Sequence, residues 1–220
     1  MKKTLLTIII LFLGTFSVSA QLYRYLDTQQ GLSSRRVIAV EKDQKGYMWF
    51  LTQEGVDRYN GKQFTNYILS DGNRPVLHFP NLSQLHIDNQ DDIWVTGKNG
   101  FIFKYNQMLD KYDLVMNFAD SLKTKRRLPL THTSIDRQNN LWLCTRNAQY
   151  IYRTDTKHVI KLETPIKEEV FYIEQAKGNR YFFGTRENVY VALLKGNRLV
   201  LEPEHTISNI HRVQHIHYHV

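Results

Sequence analysis

The chain has 220 residues, 29 Lys and Arg against 21 Asp and Glu, and a formal charge of +8. Its single cysteine, Cys144, excludes an intrachain disulfide scaffold. The positive excess is dispersed apart from the basic run 123–127, a solvated loop, so no nucleic-acid partner is expected.

Residues 1–20 read as a cleaved secretory signal peptide. Lys2 and Lys3 precede an apolar run, and small residues lead to a cut between Ala20 and Gln21. That run is shorter than the roughly 20 residues a spanning helix needs, so no membrane span is expected in the mature chain. The localisation implied is periplasmic. Residues 22–26 follow as a candidate strand for closing a ring.

From there one phrase recurs. Asp43, Asp88 and Asp136 each stand six residues before a tryptophan, Trp49, Trp94 and Trp142. A fourth copy has Ala176 and Phe182 at the same spacing. The aromatics lie 45, 48 and 40 residues apart, a period of about 40–50 residues that marks a propeller-type array. The first copy predicts strands at 37–42, 47–51, 56–59 and 63–68, with Asn60-Gly61 as a hairpin turn of positive φ. Gly100 and Gly196 mark later turns, and each Asp is expected to cap the first hairpin of its copy.

Leading strands carry paired apolar residues, Val37/Val40, Leu82/Leu85 and Val170/Ile173; the third copy departs with Leu130/Thr133. The fold class expected is all-β, four four-stranded antiparallel β-propeller blades at about 33–68, 80–118, 128–163 and 168–203. A fifth blade opens at 207–220, because Val213 and Ile216 repeat the first lead-in. The ring is therefore expected to be incomplete and the chain truncated, with open edges prone to self-association.

The stretch Gly31-Leu32-Ser33-Ser34-Arg35-Arg36-Val37, continued by Gly46-Tyr47-Met48-Trp49-Phe50-Leu51-Thr52 and Gly55-Val56-Asp57-Arg58-Tyr59-Asn60-Gly61, closely resembles the two-component-regulator propeller repeat. The resemblance covers 21–220 and is strongest at 31–67. In that family the repeat opens the periplasmic sensor of Bacteroidetes hybrid two-component systems, ahead of a membrane helix and a histidine kinase. It implies a ligand-sensing segment, with oligosaccharides from polysaccharide breakdown as the partner. The kinase motifs of such a parent are absent from this sequence.

No catalytic constellation emerges: there is no Gly-x-Ser-x-Gly, His-Glu-x-x-His, P-loop or Gly-x-Gly-x-x-Gly. Asp43, Asp88 and Asp136 recur in register, as do Trp49, Trp94, Trp142 and Phe182. A residue repeated in every blade serves the blade, whereas a catalytic site is built once. Cys144 falls in a strand as a small buried apolar residue. His211, His215, His217 and His219 share one face of an extended segment and could bind Zn²⁺ or Cu²⁺ adventitiously. They lack a carboxylate or thiolate partner, so neither a resident metal nor a cofactor is expected. The expected function is non-enzymatic; the alternative is a periplasmic propeller hydrolase or lyase acting on a polysaccharide or small substrate.

Overall fold

A computed structural model describes residues 25–71, 75–77, 82–124 and 128–208. The signal segment, the Ala20–Gln21 cut, most of 22–26, and His211, His215, His217 and His219 lie outside them.

The described residues form four four-stranded sheets, each a meander of antiparallel strands in sequence order. The first blade holds β1 (Val37–Lys42), β2 (Met48–Thr52), β3 (Val56–Tyr59) and β4 (Phe64–Tyr67). A short hairpin follows, β5 (Leu69–Ser70) and β6 (Pro75–Leu77). The second blade is β7 (Leu82–Ile87), β8 (Ile93–Gly97), β9 (Phe101–Asn106) and β10 (Lys111–Asn117), closed by a one-turn helix α1 (Phe118–Ser121). The third is β11 (Leu130–Ile135), β12 (Leu141–Thr145), β13 (Ala148–Arg153) and β14 (His158–Lys161). The fourth is β15 (Tyr172–Gln175), β16 (Arg180–Gly184), β17 (Val189–Lys195) and β18 (Arg198–Leu201). Leading strands adjoin in turn, β1 on β7, β7 on β11 and β11 on β15. The chain is all-β, built of propeller blades.

Each tryptophan is fixed by the aspartate six residues before it. The indole N–H donates to Oδ2 in Trp49–Asp43 (2.9 Å), Trp94–Asp88 (3.0 Å) and Trp142–Asp136 (3.1 Å). The other carboxylate oxygen accepts turn amides: Tyr47 N in the first blade, Gln90 and Asp92 N in the second, Gln138 and Asn140 N in the third. The spacing is therefore a hydrogen-bond requirement. A buried indole N–H and a buried carboxylate each need a partner, and here they satisfy one another.

These turns are also linked from blade to blade. Gln44 N–H donates to Asp91 Oδ1 (2.9 Å), and Asn89 N–H donates to Asn139 Oδ1 (3.0 Å). Asp91 and Asn139 hold the same left-handed position, φ 64° and 61°. At the last seam Arg137 N–H donates instead to Gln175 Oε1 (2.6 Å).

Strand alternation gives every blade two faces. The tryptophan face packs forward: Trp49 and Leu51 meet Leu85, Ile93 and Val95 of the second blade. Trp94 packs with Leu141 and Leu143, and Trp142 with Tyr181 and Phe183, whose ring centroids lie 4.6 and 5.7 Å away. Phe182, expected to be buried like the tryptophans it replaces, is only half-buried. Its backbone register is the same, pairing with Glu174 as Trp49 pairs with Glu41. Among the described residues, however, its face has no blade ahead of it, and Tyr181 and Phe183 on the opposite face fill the core. Met48 and Phe50, on the rear face of the first blade, are half-buried for the corresponding reason.

Two expectations change in detail. At Asn60-Gly61 only Gly61 has positive φ (89°); Asn60 uses its side chain, accepting Lys62 and Gln63 N–H in a longer turn. The outer edge of the fourth blade runs past 203, because Ile207 bridges Val189 after a 3-10 turn at Pro203–His205. Gly55 is dictated by space as well as φ (152°), since a Cβ there would lie 2.3 Å from the Tyr67 carbonyl oxygen.

Asp136→Ala leaves Trp142 Nε1, two turn amides and the Tyr181 hydroxyl, which donates to Asp136 Oδ2 (3.1 Å), without their acceptor. We expect a loss on the order of 3–5 kcal/mol in urea denaturation, against about 1–2 kcal/mol for Trp142→Phe, whose carboxylate keeps its other donors. Equal losses for the two would show that the carboxylate does not organise the turn.

Candidate functional site

The seams between blades hold the polar chemistry. At the inner seam of blades two and three, Thr133 stands where other leading strands carry Val40, Leu85 or Ile173. The preceding blade is polar to match. Gln84 Oε1 accepts from both the N–H (2.5 Å) and the hydroxyl (2.7 Å) of Thr133. That hydroxyl then accepts from Thr96 Oγ1 (2.7 Å) and His86 Nε2 (2.9 Å), which places the His86 proton on Nε2. His132 sits alongside, its Nε2 accepting Ile173 N–H at 3.2 Å and its Nδ1 3.1 Å from Gln84 Nε2. Burial lowers the pKa of His86 to about 4; burial and the neighbouring His86 lower that of His132 to about 3. Both rings are neutral at physiological pH, His86 bonded into the Thr133 network and His132 bonded to the Ile173 amide beside it.

The outer seams differ from one another. Between blades one and two, Arg58 on β3 lies over the rings of Tyr47, Trp49, Tyr67 and Tyr105 at 5.2–5.7 Å. It donates to Asp110 of the next blade (3.2 Å), and Asp110 Oδ1 also accepts the hydroxyls of Tyr105 (2.5 Å) and Tyr67 (2.6 Å). Those tyrosine hydroxyls, then Arg58, hold the Asp110 carboxyl below its ordinary range. Opposite Trp94 the position of Arg58 is taken by Lys104, which turns to Asp92 of its own blade (2.5 Å). Opposite Trp142 it is Ile151, fully buried. A groove of about 770 Å³ opens at the Lys104 seam.

The candidate residues from the sequence fall into place as follows. Asp43, Asp88 and Asp136 are buried beneath their tryptophans and offer no free carboxylate to a substrate. Cys144 is fully buried, and burial drives its thiol pKa far up, which suppresses the thiolate. The cluster Glu202, Glu204 and His205 brings three potential metal ligands together, but Glu202 is committed to Arg180 (2.8 Å) and the other two are exposed. Sequence reasoning missed the Gln84–His86–Thr133 network and the Arg58 lock. The signal for the first was the polar Thr133 in an apolar register; for the second it was the change from Arg58 to Lys104 at one aligned position.

No family model and no curated protein matches the sequence. Solved structures do match its fold. An extracellular domain from B. thetaiotaomicron, described as part of the hybrid two-component system BT3049, superposes with TM-score 0.63 at 18% identity over 81% of this chain and 26% of its own. The corresponding domain described for BT4673 gives 0.60 at 16%, over 80% and 25%. Virginiamycin B lyase from Staphylococcus aureus gives 0.57 at 12%, over 81% and 57%. The chain thus spans about a quarter of the first two. Among the described residues no helix is long and apolar enough to cross a membrane.

The His pair predicts an acid-sensitive fold. Both folded pKa values lie below the ordinary 6.5, so the unfolded state binds more protons as the medium acidifies. Stability is full above pH 6.5 and falls progressively towards pH 3, on the order of a few kcal/mol by pH 4. Denaturation midpoints measured from pH 7 to 4 should show this slope, and His86→Gln should flatten it; an unchanged slope would place the acid response elsewhere.

At identities this low, the likeness to these structures establishes the architecture, an array of β-propeller blades.

Proposed function

We propose that this chain is the ligand-sensing propeller segment of a periplasmic two-component sensor, responding to oligosaccharides from polysaccharide breakdown and acting without catalysis. One observation carries the reading. The repeated acids and aromatics, the residues a glycan-cleaving site would draw on, are consumed by the Asp–Trp bonds inside the blades. The extracellular domains described as parts of hybrid two-component systems support it through their fold. Export by a signal peptide cut after Ala20 is part of the proposal, and N-terminal sequencing of periplasmic material tests it.

A second reading, a propeller hydrolase or lyase, is favoured by the likeness to virginiamycin B lyase. Titrating the exported protein with an oligosaccharide panel separates the two. A sensor binds and is thermally stabilised without consuming the ligand. Turnover lost on mutating one seam residue would establish the enzyme instead, and neither binding nor turnover would remove both readings.

The outward faces also give the self-association proposal a location. Val37, Val40 and Phe171 are 38%, 44% and 41% exposed, with Met48, Phe50 and Phe182 half-covered nearby. Sedimentation should show concentration-dependent association that Phe182→Asp reduces. A monodisperse monomer at all concentrations would rule it out.

A further inference from the structure

The three outer seams are variations on one construction, and comparing them singles out the second. Register pairs Trp49 with Arg58 and Trp94 with Lys104. Val56 faces Tyr67 and Ile102 faces Met116, so Met116 occupies the position of Tyr67. The outer turns end equivalently: Asp110 precedes β10 and Lys157 precedes β14, both with positive φ (47° and 58°). The first seam is therefore closed by Arg58, Tyr67 and Asp110. At the second, the same three positions hold Lys104, Met116 and Lys157. A carboxylate has become an ammonium, and no cross-blade ion pair can form between these positions. Tyr152, in the register of Tyr105, has no hydrogen-bond partner for its hydroxyl among the described residues, where Tyr105 meets Asp110.

What remains is the groove of about 770 Å³, within the roughly 300–1,000 Å³ of small-molecule sites. Its lining interleaves donors and acceptors: Lys104 and Lys157, Asp92 and Asp155, Gln138 and Thr154. Asp88 also borders it, but that carboxylate is taken by Trp94 and two turn amides. Lys104 is paired with Asp92, and the charge of Lys157 is balanced by Asp155, so a ligand of either charge meets an opposing group of its own sign. A ligand whose every hydroxyl both donates and accepts meets none.

We infer that the groove between the second and third blades binds a neutral, hydroxyl-rich ligand, a short oligosaccharide. This rests on the sensing function proposed above and gives it a place in the fold. The ligand supplies across this seam the polar bridge that Arg58 and Asp110 supply across the one before, so binding ties the two blades together.

The test rebuilds the missing lock. The variant Met116→Tyr/Lys157→Asp gives Lys104 a cross-blade carboxylate and fills the groove, while Lys157→Ala removes one donor at an exposed turn. Binding is measured by calorimetry with cellohexaose, xylohexaose and mannohexaose, with hexagalacturonic acid as the acidic comparator. At least one neutral hexasaccharide should bind the native chain, at least tenfold more weakly to the lock variant and severalfold more weakly to Lys157→Ala, with melting of both variants no lower than native. Binding that is indifferent to both variants would overturn the groove while leaving the sensing function standing. Tighter, groove-dependent binding of hexagalacturonic acid would overturn the neutral class. No binding by any neutral probe would overturn the inference, and binding by none of the four would count against the sensing function as well.

Discussion

Everything in this structure depends on a carboxylate buried beside an indole. In water neither group requires the other. Sealed between two sheets, each would be costly without a partner, and the bond from Trp Nε1 to Asp Oδ2 removes both costs at once. Because the second carboxylate oxygen holds the amides of the adjoining turn, the same residue shapes the hairpin and aims the ring. The ring then becomes the knob on which the next blade packs. The fourth blade, with Ala176 in place of the aspartate, keeps the strand register without the pair, and its Tyr181 and Phe183 meet Trp142 as Leu141 and Leu143 meet Trp94.

With the blades fixed by this repeated unit, the seams are free to differ. The inner seam of blades two and three is polar, the last seam is closed by Ile151, and the first is clamped by Arg58 within four aromatic rings. These choices keep the strand order, each falling on side chains projecting between sheets, though β10 at the groove seam carries a bulge between Leu114 and Met116. Binding chemistry in such a molecule is most cheaply placed there. A seam can trade a clamp for a groove while the strand order of each blade is kept.

The array was readable from the sequence because its signals are local and repeated. Asp43 to Trp49 fits within one hairpin, and three copies in register make coincidence implausible. The strands of the first blade followed from turn residues and alternation almost to the residue. The pairing of Asp with Trp was not read, since spacing alone does not tell a turn cap from a side-chain partner, and here the residue is both. The seams were illegible for another reason. Arg58 finds Asp110 across 52 residues and Gln84 finds Thr133 across 49, distances at which no periodicity operates. Phe182 shows the limit from the other side: its place in the repeat was right, and its burial depended on a neighbour rather than on itself.

The hydrogen bonds that pass from one first-hairpin turn to the next have a consequence for how this chain can change length. An inserted residue in such a turn would displace an amide that the neighbouring blade holds at about 3 Å, and would move the indole as well. Those turns tolerate no indels. Lengthening and shortening fall elsewhere: in the outer hairpins, where Tyr59 pairs with Phe64 but Tyr105 with Tyr112, and in the linkers between outer and leading strands, such as the one carrying β5 and β6. The molecule accordingly keeps two rulers: a rigid one of six residues from aspartate to tryptophan, and an elastic one of 45, 48 and 40 from aromatic to aromatic.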